Sequence, residues 1–403
     1  MSAATPTLAP TPLRVLHFNS LLVGGGTDDQ SVKLAGALRS LGVHVWLAGP
    51  TGGEFSKTAR DLGVPFVPAR TERPSQFSLV LASARFIRNQ GVEIVHGHHG
   101  RDLWPTILAA RLSGRRPKVV LTRHLAKSPA SWFSRRFLLG QCDAMIAVSR
   151  FVARVLREGA YEPAASEPER RARPPLRGDY SRIHVIHGGI DADRFKPCDA
   201  TEQRLAWGLA PENFVFAVTG GYDLPRGKGQ REFLQAAARV HSEIPQARFL
   251  LVGRGNMAQI LRADIARLGL EGKAWLTPYA RNMPAVMNAL DCLVHPQVGT
   301  EAFPGVLLEA FACGRPVIAS ELDGIPEAFA AGACGRLVPP ENIDALARAL
   351  VDQFRLPALT LAQRQELHTR VHSGFSTTAM ARQVLALYSR LLGRREQFIV
   401  PPQ

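Results

Sequence analysis

The 403-residue chain has no run of eighteen or more uncharged apolar residues, so nothing in it reads as a membrane span. Its start, Met1 to Pro12, is rich in Ala, Thr and Pro and lacks a basic-then-apolar pattern; no signal peptide is expected there. Cysteine is scarce. The five present (Cys142, Cys198, Cys292, Cys313, Cys334) are scattered, odd in number and without close pairing. That argues against a disulfide framework and a zinc site, and it fits a reducing cytoplasm. Aromatic residues make up only 7% of the chain. None is read as interleaved with the arginine clusters at Arg115-Arg116, Arg135-Arg136 and Arg170 to Arg177 in the manner of a single-strand reader, so nucleic acid is not an expected partner. Acidic residues are also short: 34 against 49 Lys and Arg, a net charge of +15. Such an excess suits a basic surface, an anionic membrane leaflet or an acidic substrate, and decides among them by nothing in itself.

What is present is ordinary globular material, 46% apolar and 21% charged. The length suggests two or three domains. Short β-branched runs alternate with amphipathic stretches almost from end to end. Strands are expected at 13–18, 43–47, 64–67, 92–96, 118–122, 144–148 and 183–186, with helical segments between them. The beat restarts at Asn213, with strands at 214–218, 247–252, 274–276, 292–295, 316–319 and 336–338. Strands alternating with helices at this spacing mean parallel sheets covered on both faces. The expectation is an α/β chain of two doubly wound, Rossmann-like domains, 1–205 and 206–375, facing one another. Residues 159–180, rich in Pro, Glu and Arg, read as a loop or disordered insertion. Residues 375–394 read as one long helix.

In open α/β sheets ligands bind beyond the carboxyl ends of the strands. The richest such place follows the strand ending at His295: Glu301-Ala-Phe303-Pro304-Gly305-Val306-Leu-Leu-Glu309-Ala-Phe-Ala-Cys-Gly314. Pro304 is tolerated in a first helical turn and Gly314 stops a helix. The helix start would offer free N–H groups and a positive dipole end to a phosphate. Glu301 falls just before that helix and Glu309 about a turn and a half inside it. Two carboxylates so placed could accept from the hydroxyls of a sugar at one end and a ribose at the other. Taken as two isolated glutamates they are more often plain solvated helix residues.

Gly24-Gly25-Gly26 follows the first strand and opens a helix, a turn that lets a diphosphate or sugar approach the backbone. It is an incomplete dinucleotide fingerprint. His96-Gly-His98-His99 ends another strand, with no carboxylate or cysteine at ligand spacing to support a metal. Arg226-Gly-Lys228-Gly follows the first strand of the second half, where two cations suit a diphosphate leaving group. Asp191-Ala-Asp193 reads as a turn or helix start rather than a metal site.

The Glu301-x7-Glu309 segment, with Gly314-Arg-Pro-Val-Ile-Ala and Gly324-Ile-Pro-Glu327, closely resembles the pattern of retaining glycosyltransferases of family 4 in the GT-B fold class. The resemblance runs from Gly25 to the last helix. It implies a GT-B fold whose closing helix, 376–403, packs back on the first domain. It implies a nucleoside-diphosphate sugar as donor and a hydroxyl of a glycan or lipid-linked molecule as acceptor, with no cofactor and no metal. Lipopolysaccharide or other cell-envelope glycan synthesis is the implied setting, on the cytoplasmic side and with an anionic membrane surface as a candidate partner.

Carried over residue by residue, His98 and Glu301 are the implied catalytic groups. Gly25, Gly26, Arg226, Lys228, Phe303, Pro304, Gly305, Val306 and Glu309 are the implied substrate-binding groups. The chain departs from the family where Gly220-Gly221 replaces its arginine, where Gly188-Gly189 replaces its Asn-Gly, and at Pro278 before the base-contacting turn. A GT-B epimerase, a phosphorylase and a non-catalytic sugar-nucleotide-binding protein are the competing readings.

Overall fold

The computed structural model describes residues 12–22, 24–69, 71–161, 172–225, 227–277, 280 and 282–394. The first half runs β1 (Arg14–Phe18), α1 (Gly26–Ser40), β2 (His44–Ala48), α2 (Glu54–Asp61), α3 (Gln76–Gln90) and β3 (Ile94–Gly97). It continues with α4 (Leu103–Leu112), β4 (Lys118–Arg123), α5 (Trp132–Gln141), β5 (Ala144–Ala147) and α6 (Arg150–Glu158). A short hairpin, β6 (Ala160–Tyr161) with β7 (Ala172–Arg173), precedes β8 (Ile183–Val185).

The second half opens with α7 (Thr201–Ala206), β9 (Phe214–Thr219), α8 (Gln230–Val240), β10 (Ala247–Val252), α9 (Ala258–Arg267) and β11 (Ala274–Thr277). It goes on through α10 (Met283–Ala289), β12 (Cys292–His295), α11 (Gly305–Ala312), β13 (Val317–Ser320), α12 (Ile325–Phe329) and β14 (Gly335–Val338). Three helices close it: α13 (Ile343–Arg355), α14 (Leu361–Phe375) and α15 (Thr377–Leu391).

These elements build two six-stranded parallel sheets, ordered β2-β1-β3-β4-β5-β8 and β11-β10-β9-β12-β13-β14. The central strands are apolar and buried on both faces, as helix-covered parallel strands must be; Val215 to Val218 and Phe249 to Val252 are examples. Each sheet accordingly carries a core on either side, four clusters in all among the described residues.

Two expectations change. Residues 64–67 form no strand; Phe66 makes a single parallel bridge to Leu47, because Pro65 and Pro68 on either side have no N–H to lend a ladder. The 159–180 segment holds the β6–β7 hairpin and buries Leu176, while 162–171 lie outside the described residues. The expected closing helix stands as α15; a break at Ser376, whose hydroxyl accepts from Ala379 N at 3.2 Å, parts it from α14. α14 before the break packs on α11 of the second half, and α15 after it packs on α1 of the first. Met380, Val384 and Tyr388 of α15 belong to a core cluster of the first sheet.

Candidate active site

Both sheets reverse their strand order at one point, between β1 and β3 in the first and between β9 and β12 in the second. A crevice forms there because the connections leave in opposite directions. The loops after β1, β9 and β12 face one another across a cleft of about 640 Å³.

On the second-half wall, β9 ends at Thr219 and β12 at His295. Both side chains are buried and line the cleft. Thr219 Oγ1 and His295 Nε2 have no hydrogen-bond partner among the described residues. A buried polar atom left unpaired costs free energy, so such atoms at a cleft wall suit a polar ligand. Burial pulls the His295 imidazole down to about 4, which keeps it neutral. From the β9–α8 loop Lys228 reaches over, its Nζ 2.7 Å from Glu301 Oε2. The backbone of Glu301 is itself fixed: its N–H donates to Asp323 Oδ2 at 3.2 Å and its carbonyl accepts from Gly324 N at 3.1 Å. α11 then starts at Gly305 behind Pro304, with no side chain capping its first N–H groups. A Cβ on Gly305 would meet nothing closer than 3.9 Å, so no protein atom requires a glycine there. Glu309, half-buried, faces Lys33 and Asp29 of α1 across the cleft, and burial raises its carboxyl to about 7.

The first-half wall is built differently. Gly25, the residue before α1, stands at φ 104, a conformation that favours glycine; Gly26 opens the helix and lines the cleft with open space around it. His17 and His96 are register partners in β1 and β3. His96 Nδ1 lies 2.6 Å from the Tyr388 hydroxyl and its Nε2 2.6 Å from Thr122 Oγ1. His98 donates its backbone N–H to Phe18 O at 3.2 Å, which turns its ring inward; its Nε2 lies 3.1 Å from His17 Nδ1. His98 is only 1% exposed and does not line the cleft. Burial first, and then the neighbouring imidazoles, hold His96 and His98 well below the ordinary histidine range. The ligand atoms of His17, His96 and His98 lie within 4.8 Å of one another, a neutral three-histidine set able to hold a metal ion. As the side chains stand, the ring nitrogens of His96 are already engaged by hydroxyls. The imidazole that does face the cleft from this side is His124, its Nε2 without a partner among the described residues.

The two halves also touch directly. Glu327 at α12 accepts from the backbone N–H groups of Arg150 (2.8 Å) and Phe151 (3.4 Å) at the start of α6, and lies 2.5 Å from His187 Nε2. Burial is the largest single influence and acts to raise its carboxyl, but these contacts together outweigh it and hold the group below its ordinary value. Phe303 packs against cores of both halves and beside His187 and Phe375. Gln30 makes a pair of bonds with the Gly189 backbone, donating to its carbonyl at 2.8 Å and accepting from its N–H at 3.1 Å. Gly189 passes so close to the end of α14 that a Cβ would sit 2.7 Å from Ser376 O; glycine is required.

Of the residues picked out by sequence, the structure gathers Gly26, Lys228, Glu301, Phe303, Pro304, Gly305, Val306 and Glu309 on the cleft wall. Gly25 sits at its edge, His98 behind it, and Arg226 lies outside the described residues, as do Pro278 and Tyr279. Asp191 and Asp193 make local contacts: Asp191 Oδ1 accepts from Arg194 N at 3.2 Å, and Asp193 lies 3.3 Å from His372. Sequence reading missed Thr219 and His295, whose only signal was their place as last residues of the two switch-point strands. It missed His17, 81 residues from His98, because strand pairing alone brings the two together.

The fold and the cleft define the class: two facing Rossmann-like domains with the GT-B arrangement. Residues 24–167 match Glycosyltransferase Family 4 and residues 213–355 match Glycosyl transferases group 1. The chain therefore belongs to the glycosyltransferases with the GT-B fold.

A D-inositol 3-phosphate glycosyltransferase of Mycobacterium leprae is 32% identical over 225 residues, 54% of this chain and 51% of that protein. A phosphatidyl-myo-inositol mannosyltransferase of Mycolicibacterium smegmatis is 28% identical over 214 residues, 52% of each. The chain thus spans about half the length of the curated relatives it matches. Among solved structures, a glycosyltransferase from Rickettsia africae superposes with a TM-score of 0.79 at 21% identity, covering 96% of this chain and all of that one. HepE of Anabaena, in complex with UDP and glucose, superposes at 0.75 and 21% identity, covering 94% and 99%. No helix among the described residues is long and apolar enough to cross a membrane.

Proposed function

We propose that the chain transfers a glycosyl unit from a nucleoside-diphosphate sugar to an acceptor hydroxyl, with retention at the anomeric carbon. The observation that carries this reading is the meeting, at one switch point, of an uncapped helix start, Lys228 and the carboxylates of Glu301 and Glu309. In the proposal the diphosphate lies on the N–H groups of α11 and takes Lys228 from Glu301. Glu301 is then released to the sugar hydroxyls, while Glu309 accepts from the ribose. The buried Thr219 hydroxyl and His295 imidazole supply further polar contacts to the donor. Charge building on the leaving diphosphate is met by Lys228 and the helix dipole, with no cofactor or metal in the step. The family resemblance gives His98 a contact with the sugar or the acceptor; since His98 stands behind the wall, the cleft-facing His124 takes that contact in the proposal.

For the acceptor we propose a hydroxyl of a lipid-linked, envelope-type glycan met at the inner face of the plasma membrane. The relatives named for inositol phosphate and phosphatidyl-myo-inositol support a polar, phosphate-bearing acceptor. The test is a thermal-shift screen against a panel of nucleoside-diphosphate sugars, in which the best binder reveals base and sugar together. Mass analysis of donor incubated with and without acceptor follows. Failure to bind any donor, or isomerised donor without acceptor, overturns the reading.

A further inference from the structure

Away from the cleft, residues 73–142 hold twelve of the 49 Lys and Arg but only two of the 34 Asp and Glu. Neither acid faces outward as a free charge: Asp102 is buried and accepts from Ser20 N at 2.8 Å, and Glu93 is paired with Arg394. The helices α3, α4 and α5 contain no acidic residue at all. They do expose large apolar side chains: Phe77 at 69%, Trp132 at 64% and Phe133 at 52%, together with Leu108, Leu112 and, in the loop before α5, Leu125.

Phe77, Leu108, Trp132 and Phe133 belong to one strip. Phe77, Trp104 and Leu108 line an apolar groove of about 520 Å³ with Arg101 and Arg111 at its rim. The Trp104 ring lies 4.9 Å from Phe133, Phe133 lies 4.9 Å from Phe137, and Phe137 lies 6.0 Å from Trp132. The Arg136 guanidinium stands over Phe137. Aromatics are thus interleaved with Arg135-Arg136 after all, contrary to the expectation from sequence; helix winding brings Trp132 and Phe133 onto the same surface as the arginines.

We infer that this α3–α5 face docks the protein on an anionic lipid surface. Its exposed aromatics and leucines enter the interfacial layer while the arginines meet lipid phosphates. Arginine stems lie along apolar surface and keep their charge at headgroup level, which suits such a boundary. A single-stranded nucleic acid fits less well. The exposed leucines offer no ring for a base to stack on, and Phe133 is already flanked by Trp104 and Phe137. The inference rests on and deepens the proposed lipid-linked acceptor: exposed Leu125 is the chain neighbour of His124, which lines the cleft.

The experiment is co-sedimentation of the full chain with vesicles of phosphatidylcholine alone and of phosphatidylcholine with phosphatidylglycerol. It is run for wild type, Trp132→Ser/Phe77→Ser, Arg111→Gln/Arg115→Gln, and Arg348→Gln on the other domain as control. Binding is expected only to the anionic vesicles. Each double variant should weaken it on the order of tenfold or more, while Arg348→Gln leaves it unchanged. Equal binding to both vesicle types, loss no greater than that of the control, or occupation of the face by a second copy or by single-stranded DNA in place of lipid would overturn the inference. Donor binding is measured in parallel. A chain that binds vesicles but no donor would sink the transferase reading alone, and one that transfers sugar but ignores lipid would sink the docking face alone.

Discussion

The two sheets share a strand order and a switch point, yet the chemistry at the two equivalent positions is opposite. In the second half the strand ends and the loops beyond them send charge and unpaired polar atoms into the cleft: Thr219, His295, Lys228, Glu301 and Glu309. In the first half the equivalent strand ends turn their imidazoles away, into a closed set with Tyr388 and Thr122. The same scaffold therefore leaves polar groups open on one side and bonds them to one another on the other. Function resides in the few side chains that follow the switch-point strands, not in the sheet.

The largest expected effect tests the open wall. Lys228→Ala and Glu309→Ala should each lower kcat by about a hundredfold to a thousandfold, the scale for removing a group that stabilises developing charge or orients the donor. Melting temperature should change little, and steady-state kinetics beside calorimetry would show it. Next comes the closed wall. Tyr388→Phe removes the hydroxyl 2.6 Å from His96 Nδ1 and leaves a buried ring nitrogen without it. A loss of about 1–3 kcal/mol in unfolding free energy is expected, with kcat nearly unchanged. A variant that folds normally but loses turnover would instead make the buried histidines part of the chemistry and break the contrast.

The third prediction concerns the contact between the halves. Glu327→Ala takes an acceptor from the start of α6 and from His187, at a cost of about 1 kcal/mol. Small-angle scattering should show a wider spread of domain separations than for the wild type.

The smallest effect is one of pH. The Glu309 carboxyl is raised to about 7, so the donor-free protein holds it partly protonated near neutrality. A raised acid loses stability as pH climbs from its ordinary range to its folded value, since the unfolded chain ionises first. Hydroxyl donation from a ribose favours the carboxylate, so donor affinity should rise with pH up to about 7, by under about tenfold. Glu309→Gln should flatten both slopes.

Much of this was legible in the chain. Short β-branched runs and period-3.6 apolar patterns gave the alternation of strands and helices, and the Glu301–Glu309 segment stood out because a helix start, a proline and spaced carboxylates coincide. What could not be read depends on pairing between distant strands. His17 meets His96 only through parallel register, and Thr219 meets His295 only because β9 and β12 are neighbours. The family resemblance implied a cleft position for His98. The backbone bond to Phe18 that turns its ring inward leaves no mark on composition. The Pro65–Pro68 pair did carry a signal against a strand, and β-branched Val64 and Val67 outweighed it in the reading.

The chain passes between its halves twice, at Ile190 and at Ser376, and the two passages are bonded side by side: Ile190 N–H donates to Phe375 O at 3.0 Å and Thr377 N–H to Ile190 O at 2.8 Å. Two crossings fastened together act mechanically as one pivot. A cleft mounted on one pivot can swing wider or narrower, but its walls cannot slide past each other. Those two bonds sit at Ile190, on the wall of the cleft that sets Glu309 opposite α1, so the backbone as well as any ligand helps fix the register of the site.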